Sequence, residues 1–273
     1  MNGPRVRRYA TETVMTLTGL VFAFPVYVLV NLSLRAPGDT TSPIAPTTAP
    51  TLANYADAWE RAGLGPALVN SAVVTACSVA VVITLSALAA YPLARATARW
   101  SRWTFALFAL GLLLPAQLGL VPLYRTVHDL GLLGSLWGLV LFYAGSQIPF
   151  GIFLYAGFLR TIPTEYEDAA ALDGCGPLRT FVSVVFPLLR PVTGTIGVLN
   201  AIFVWNDFLT PLLYLSGSPR QTVPVAVFQF VGQYVSQWQL VFAGLVISLL
   251  PILTVYFLLQ RRVIQGFSGG LKG

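Results

Sequence analysis

With 273 residues, 56% of them hydrophobic and only 10% charged, the chain lies far from soluble domains, in which roughly 25% of residues carry charge. Its mean hydropathy of +0.73 points the same way and excludes an ordinary soluble enzyme. At about 20 apolar residues per helical span, the length accommodates about six spans with modest loops and no separate soluble domain of ordinary size.

The first apolar run, Val14 to Leu34, follows Arg5, Arg7 and Arg8. It is too long for the apolar region of a signal peptide and has no A-x-A cleavage site, so it reads as a retained first span. The stretch Ala36 to Pro66 is rich in Pro and Thr and is expected to lie irregularly over the outer surface. Asn54-Tyr55 and Trp59 within it are expected at headgroup level as aromatic anchors. Further runs follow at Ala67 to Leu93, Trp103 to Leu123, Leu132 to Leu159, Phe181 to Leu215 and Leu240 to Leu259. Runs of this length, without apolar/polar alternation, exclude a membrane β-barrel, whose strands take about 9–11 residues. Pro25, Pro115, Pro149, Pro187, Pro211 and Pro251 fall within the runs. Each removes a backbone hydrogen bond and invites a kink.

Basic residues set the orientation, because basic loops stay cytoplasmic. With the N-terminus inside, the inner segments hold Arg5, Arg7, Arg8, Arg95, Arg99, Arg102, Arg160, Arg179, Arg190, Arg261, Arg262 and Lys272, and the outer ones only Arg35, Arg61, Arg125 and Arg220. Both termini are therefore expected in the cytoplasm. The net charge of +6 is explained by topology and calls for no nucleic acid. Cys77 and Cys175 form no disulfide framework and no metal-site spacing.

Between the fourth and fifth runs, Glu165, Glu167, Asp168 and Asp173 form the densest acidic cluster in the chain. Thr164 and Glu167 have capping-box spacing. Acids in a first turn suit the positive end of the helix dipole, and Gly174 tolerates the left-handed geometry that ends a helix. The segment thus encodes a short helix, about Glu165 to Leu172, followed by a sharp turn. Eight residues are unstable as an isolated helix, so it must rest on something. Tyr166, Ala169, Ala170 and Asp173 fall on one narrow face with small side chains at its centre, suited to close approach by another surface.

These residues resemble the signature loop of the inner-membrane permease subunits of ATP-binding-cassette importers. Its pattern is E-A-A, three residues, G, nine residues, then I-x-L-P. Here Asp168-Ala169-Ala170, Gly174 and Val184-Val185-Phe186-Pro187 occupy those places, with Asp for Glu, Val for Ile and Phe for Leu. The resemblance is to the carbohydrate permeases related to the second maltose permease subunit and covers nearly the whole chain. Asn54-Tyr55, Asn70-Ser71, Ala89-Ala90-Tyr91 with Ala94-Arg95, Ile162-Pro163, Asp173-Gly174, Trp205-Asn206-Asp207 and the tail from Gln260-Arg261-Arg262 to Gly273 support it by their order.

The resemblance implies an all-α membrane protein of the type I importer fold. Residues 1–13 would be a cytoplasmic N-terminus, 14–259 a six-helix transmembrane domain with its coupling loop at 160–187, and 260–273 a cytoplasmic tail. It implies that the coupling helix docks on a cytoplasmic ATPase through Glu165, Glu167, Asp168, Ala169, Ala170, Asp173 and Gly174, with the tail as a second contact. A homologous second permease subunit, two ATPase copies, an extracytoplasmic solute-binding protein and a carbohydrate substrate are the implied partners, in a bacterial cytoplasmic membrane. The sole lysine, Lys272, is followed by Gly273, so G-x-x-x-x-G-K-[ST] does not occur. No catalytic residue, metal or cofactor is assigned to this chain, and ATP with Mg belongs to the partner ATPase.

Ionisable residues inside a span suggest function, and Asp207 stands out. Trp205, Asn206 and Asp207 offer an aromatic face and hydrogen-bonding groups to a sugar, or Asp207 fixes helix packing. His128 beside Asp129 reads as a solvated loop. An ion-coupled secondary transporter would show midplane ion sites and structural repeats. An intramembrane enzyme would show H-E-x-x-H or paired acids facing each other in the bilayer.

Overall fold

The computed structural model describes residues 3–39, 41–113, 116–234 and 237–269. Among them there is no β-strand, as expected where lipid leaves every backbone polar group to be satisfied within its own helix. In chain order the helices are α1 (Gly3–Ser33), α2 (Ala53–Arg61), α3 (Leu64–Arg95), α4 (Arg99–Leu113), α5 (Ala116–Asp129), α6 (Leu136–Leu159), α7 (Glu165–Leu172), α8 (Pro177–Thr180), a π-helical turn (Phe181–Val185), α9 (Phe186–Leu188), α10 (Arg190–Asn206), α11 (Leu209–Tyr214), α12 (Val223–Gln233) and α13 (Trp238–Gly269). Pro115 and the end of the tail, residues 270–273, lie outside the described residues.

Three helical stretches, Thr11–Ser33, Leu64–Arg95 and Leu136–Leu159, are long and apolar enough to cross a membrane, and two bent pairs bring the number to five. The third and fifth apolar runs are thus not single helices. Arg99–Leu113 and Leu118–Asp129 are inclined at 108°. Pro177–Leu188 and Arg190–Asn206 meet at 76°, and α10 ends where Asp207 turns extended at ψ 125. The π turn ends two residues before Pro187, whose ring has no N–H to donate and crowds the carbonyl four residues back, at Ser183. Widening the turn relieves that conflict.

The residues group into two compact units, Met1–Gly65 with Ala226–Pro251, and Pro66–Val225 with Ile252–Gly273. In the first, the Pro/Thr-rich stretch is irregular in backbone but is tied to the end of α1. Buried Arg35 donates from Nη1 to Thr41 O at 2.6 Å and from Nη2 to Ala45 O at 2.7 Å and to Ser42 O. Asn31 Nδ2 donates to Pro43 O and Ala45 O, and its Oδ1 accepts the Thr47 amide. Hydrogen bonds from the Thr41 hydroxyl and then its amide hold the Asp39 carboxyl below the usual carboxylate range.

Asn54 and Tyr55 differ from the expected headgroup anchors. Asn54 is buried and donates to Ser33 O and Arg35 O, and Tyr55 shares a 2.7 Å hydrogen bond with Ser33. They splice α2 to the end of α1. Trp59 is half exposed and covers Gly65, where an added Cβ would lie 3.2 Å from its ring.

In the second unit, one core joins α3, α6, the π turn and α10 through Val82, Ala90, Ile152, Tyr155, Val185 and Ile196. A second core joins α3, α5, α6, α10 and α11 through Val74, Val127, Tyr143, Val204 and Tyr214. Lipid is as apolar as these side chains, so close packing and hydrogen bonds hold such helices together. Tyr155 donates to Thr193 Oγ1 across α6 and α10 at 2.9 Å. Asn70 Nδ2 donates to Gln221 O and Ser71 Oγ accepts the Val223 amide, fastening the start of α3 to the start of α12.

Candidate functional site

α7 has the bounds its acids and Gly174 predict. Gly174 sits at φ +77; its amide donates to Ala171 O at 3.0 Å and the Cys175 amide to Ala170 O at 2.9 Å. This nested pair satisfies carbonyls that a helix end otherwise leaves open, and the left-handed residue between them favours glycine.

The start of α7 differs from the capping box. Thr164 is helical, at φ −73 and ψ −16, and makes no side-chain cap. Glu167 instead reaches α3, where its Oε2 accepts from Tyr91 OH at 3.0 Å and its Oε1 from Arg95 Nε at 2.7 Å. Both charged side chains are mostly covered, at 17% and 16% exposure. A charge-assisted pair of this geometry outcompetes a solvent-exposed backbone cap.

The face of α7 is correspondingly rotated from the expected one. Ala170 is buried and Glu167 turns inward, whereas Glu165, Tyr166, Asp168, Ala169 and Asp173 remain exposed. Leu172 is 90% exposed, and Leu178 and Val182 beyond the turn are also exposed. The outward surface therefore combines Tyr166, Ala169 and Leu172 at helical spacing with three carboxylates at its flanks. An apolar side chain so fully in water suits a pocket on another protein. Leu172 stands three residues from Ala169 and six from Tyr166, a relation legible in the sequence, whereas a face centred on the small side chains of Ala169 and Ala170 leaves it out.

The second predicted cluster is divided by the structure. Trp205 is buried. Asn206 is exposed and its Nδ2 donates to Ile202 O at 2.8 Å. Asp207 Oδ2 accepts from Tyr143 OH at 3.0 Å and Oδ1 from the Thr210 amide at 3.3 Å, so the carboxylate joins α6 to the start of α11. A cavity of about 470 Å³ opens beside it, lined by Asn206, Asp207 and Thr210 together with Phe142, Phe203 and three aliphatic side chains. Phe142 and Phe203 are its aromatic walls. His128 and Asp129, both exposed, lie 3.2 Å apart.

Asp207→Ala is expected to lower the thermal stability of the detergent-solubilised protein by about 1–3 kcal/mol, because Tyr143 and the α11 amide lose their acceptor. Tyr143→Phe removes one bond and is expected to cost about 1 kcal/mol. Equal melting of both variants and the parent would remove the bracing role of Asp207.

The family profile described as "Binding-protein-dependent transport system inner membrane component" matches residues 82–269. The chain is 35% identical over 275 residues to the melibiose/raffinose/stachyose import permease protein MelC of Bacillus subtilis, covering 98% of this chain and all of that one. It is 32% identical over 271 residues to AmyC of Thermoanaerobacterium thermosulfurigenes, a probable starch degradation products transport system permease protein, covering 99% and 98%. Its fold superposes on a chain of a bacterial ABC transporter involved in import of the acidic polysaccharide alginate, with a TM-score of 0.83 over 96% of this chain and 98% of that one at 21% identity. The match includes α7, its closing turn and the bent helices beyond, so the chain belongs to the family of binding-protein-dependent transport system inner membrane components.

Proposed function

We propose that the chain is one of two homologous permease subunits of an ATP-driven carbohydrate importer, and that it forms half of the transmembrane path. The observation that carries this reading is α7: a short helix, anchored on its inner face and open on its outer one, in the loop that aligns with the family signature. Docking of a cytoplasmic ATPase is assigned to Glu165, Tyr166, Asp168, Ala169, Leu172 and Asp173. Glu167, Ala170 and Gly174 act indirectly, by holding that surface in place. Two such ATPases, which carry the ATP and Mg, and an extracytoplasmic solute-binding protein complete the assembly.

The proposed membrane domain covers residues 14–259, with residues 1–13 and 260–273 cytoplasmic. α13, an unbroken backbone helix of 32 residues, supplies the sixth span beside the three long helices and two bent pairs. Orientation rests on the concentration of basic residues in the segments next to α7, Arg95 and Arg160 among them. Oligosaccharides are favoured as substrates, since MelC and AmyC carry names of sugar import systems, and the cavity beside Asp207 is the candidate point of contact in this chain.

Uptake of labelled raffinose and maltotriose by cells expressing the chain with its neighbouring transport genes tests the reading. Uptake is expected to stop on ATP depletion and to survive collapse of the proton and sodium gradients. The reverse pattern would mean an ion-coupled transporter.

A further inference from the structure

We propose that Glu167 is a positioning residue that locks α7 to the inner end of α3, so that the two helices move as one body when the ATPase moves. The inference rests on α7 being the docking helix and adds the route by which its displacement enters the bundle.

Tyr91 and Arg95 stand one helical turn apart on α3 and grip separate oxygens of the same carboxylate, Oε2 and Oε1. The Arg95 guanidinium is used twice: Nη2 lies 2.7 Å from Glu167 Oε1 and also donates to Ile162 O at 3.0 Å, in the segment leading into α7. α3 therefore holds the helix and its approach segment through one side chain. The Tyr91 ring packs at 5.2 Å from Phe181, the first residue of the π turn, so the same tyrosine also touches the element that follows α7. Glu167 and Arg95 are mostly covered, and loss of one partner leaves the other charge poorly solvated, which makes the pair costly to open. Of the carboxylates flanking the docking surface, Glu165, Asp168 and Asp173 stay exposed while Glu167 turns inward. A contact with a second protein would call for the opposite arrangement.

A displacement of α7 toward or away from the membrane is thus delivered to the last turn of α3 without slack. α3 passes it on along its length, since it is continuous from Leu64 to Arg95.

The test places nitroxide labels on Cys175, just after α7, and on Thr97→Cys, just after α3, in a Cys77→Ala background. Dipolar spectroscopy is carried out on the full chain purified with its ATPase, nucleotide-free and trapped with MgATP and orthovanadate. One narrow distance distribution, unchanged between the two states, is expected for the parent. Glu167→Gln is expected to lose the narrow peak, in the chain alone as in the complex, with reduced copurification of the ATPase because the docking surface is no longer held in place, and the exchange Glu167→Arg with Arg95→Glu is expected to regain both. A parent distance that shifts between the states, or a Glu167→Gln distribution as narrow as the parent's, overturns the lock. Loss of the ATPase from Glu167→Gln with an unchanged distribution would also overturn it, by making Glu167 a direct contact. If no variant, the parent included, retains an ATPase, the docking assignment fails, and the distributions of the chain alone still decide the lock.

Discussion

Ala169→Glu and Leu172→Asp are expected to leave the chain inserted and folded but to strip it of its ATPase. Both side chains are exposed, so neither change disturbs packing within this chain. Small residues at the centre of a docking surface allow backbones to approach, and a glutamate at Ala169 would hold the partner off. Leu172 has the marks of an anchor, being apolar and 90% in water. Loss of such an anchor typically costs about 2 kcal/mol or more, roughly thirtyfold in affinity. Gly174→Val tests the same surface by another route. The space around Gly174 is open, but a β-branched residue at φ +77 is strained by about 1–2 kcal/mol, and relief of that strain redirects the end of α7. Copurification of a tagged ATPase, with membrane yield as the control, reads all three. Full recovery of the ATPase with both Ala169→Glu and Leu172→Asp would move the docking surface elsewhere.

What the sequence disclosed of this site follows the range of the interactions involved. The bounds of α7 depend on near neighbours, namely acids in the first turn and a glycine after the last, and both are written locally. The role of Glu167 depends on Arg95, 72 residues away, and nothing local separates it from Glu165 or Asp168. The capping-box spacing with Thr164 was a real local option that a stronger distant partner displaced. In the same way, Ala89-Ala90-Tyr91 and Ala94-Arg95 were visible as family resemblance, while the reason for them lies in the fold: Ala90 is fully buried in the core, and Tyr91 and Arg95 hold the acid.

Apolar length located the long apolar stretches but not their breaks. Phe181 to Leu215 reads as one run because hydropathy does not register a π turn before Pro187 or the extended backbone at Asp207. The tie between α1 and residues 41–47 was equally hidden, since Arg35 and Asn31 bond mostly to backbone oxygens, which carry no residue signature. The burial of Trp205 beside exposed Asn206 was likewise not legible, because which neighbours on α10 face inward is set by tertiary packing.

The packing of α3 on α6 yields the other large expected effect. Gly151→Val should destabilise the fold severely, because a Cβ at Gly151 would lie 2.7 Å from Ser86 Cβ, and that atom cannot swing aside as the end of a long side chain would. Ser86 is fully buried and its Oγ donates to Ile148 O at 3.2 Å, so the two helices touch at their backbones. Overpacking of this kind costs about 1–3 kcal/mol for a methyl, and more for a branched side chain. In a bilayer the loss is not offset by hydrophobic pressure, since lipid replaces whatever contact is opened. Gly151→Ala should be rescued by Ser86→Gly, which removes the obstructing Cβ and leaves Val82 Cγ1 at an ordinary 3.6 Å. The hydrogen bond to Ile148 is lost in the exchange, so rescue should be partial and the pair strongly non-additive. Melting of the detergent-solubilised variants measures this directly. Because the C-terminal halves of α3 and α6 share a core with the π turn that follows α7, Gly151→Val should also lower ATPase copurification without touching the docking surface. A variant that melts with the parent would mean that α3 and α6 separate without cost, and that the core they share with the π turn does not depend on their contact.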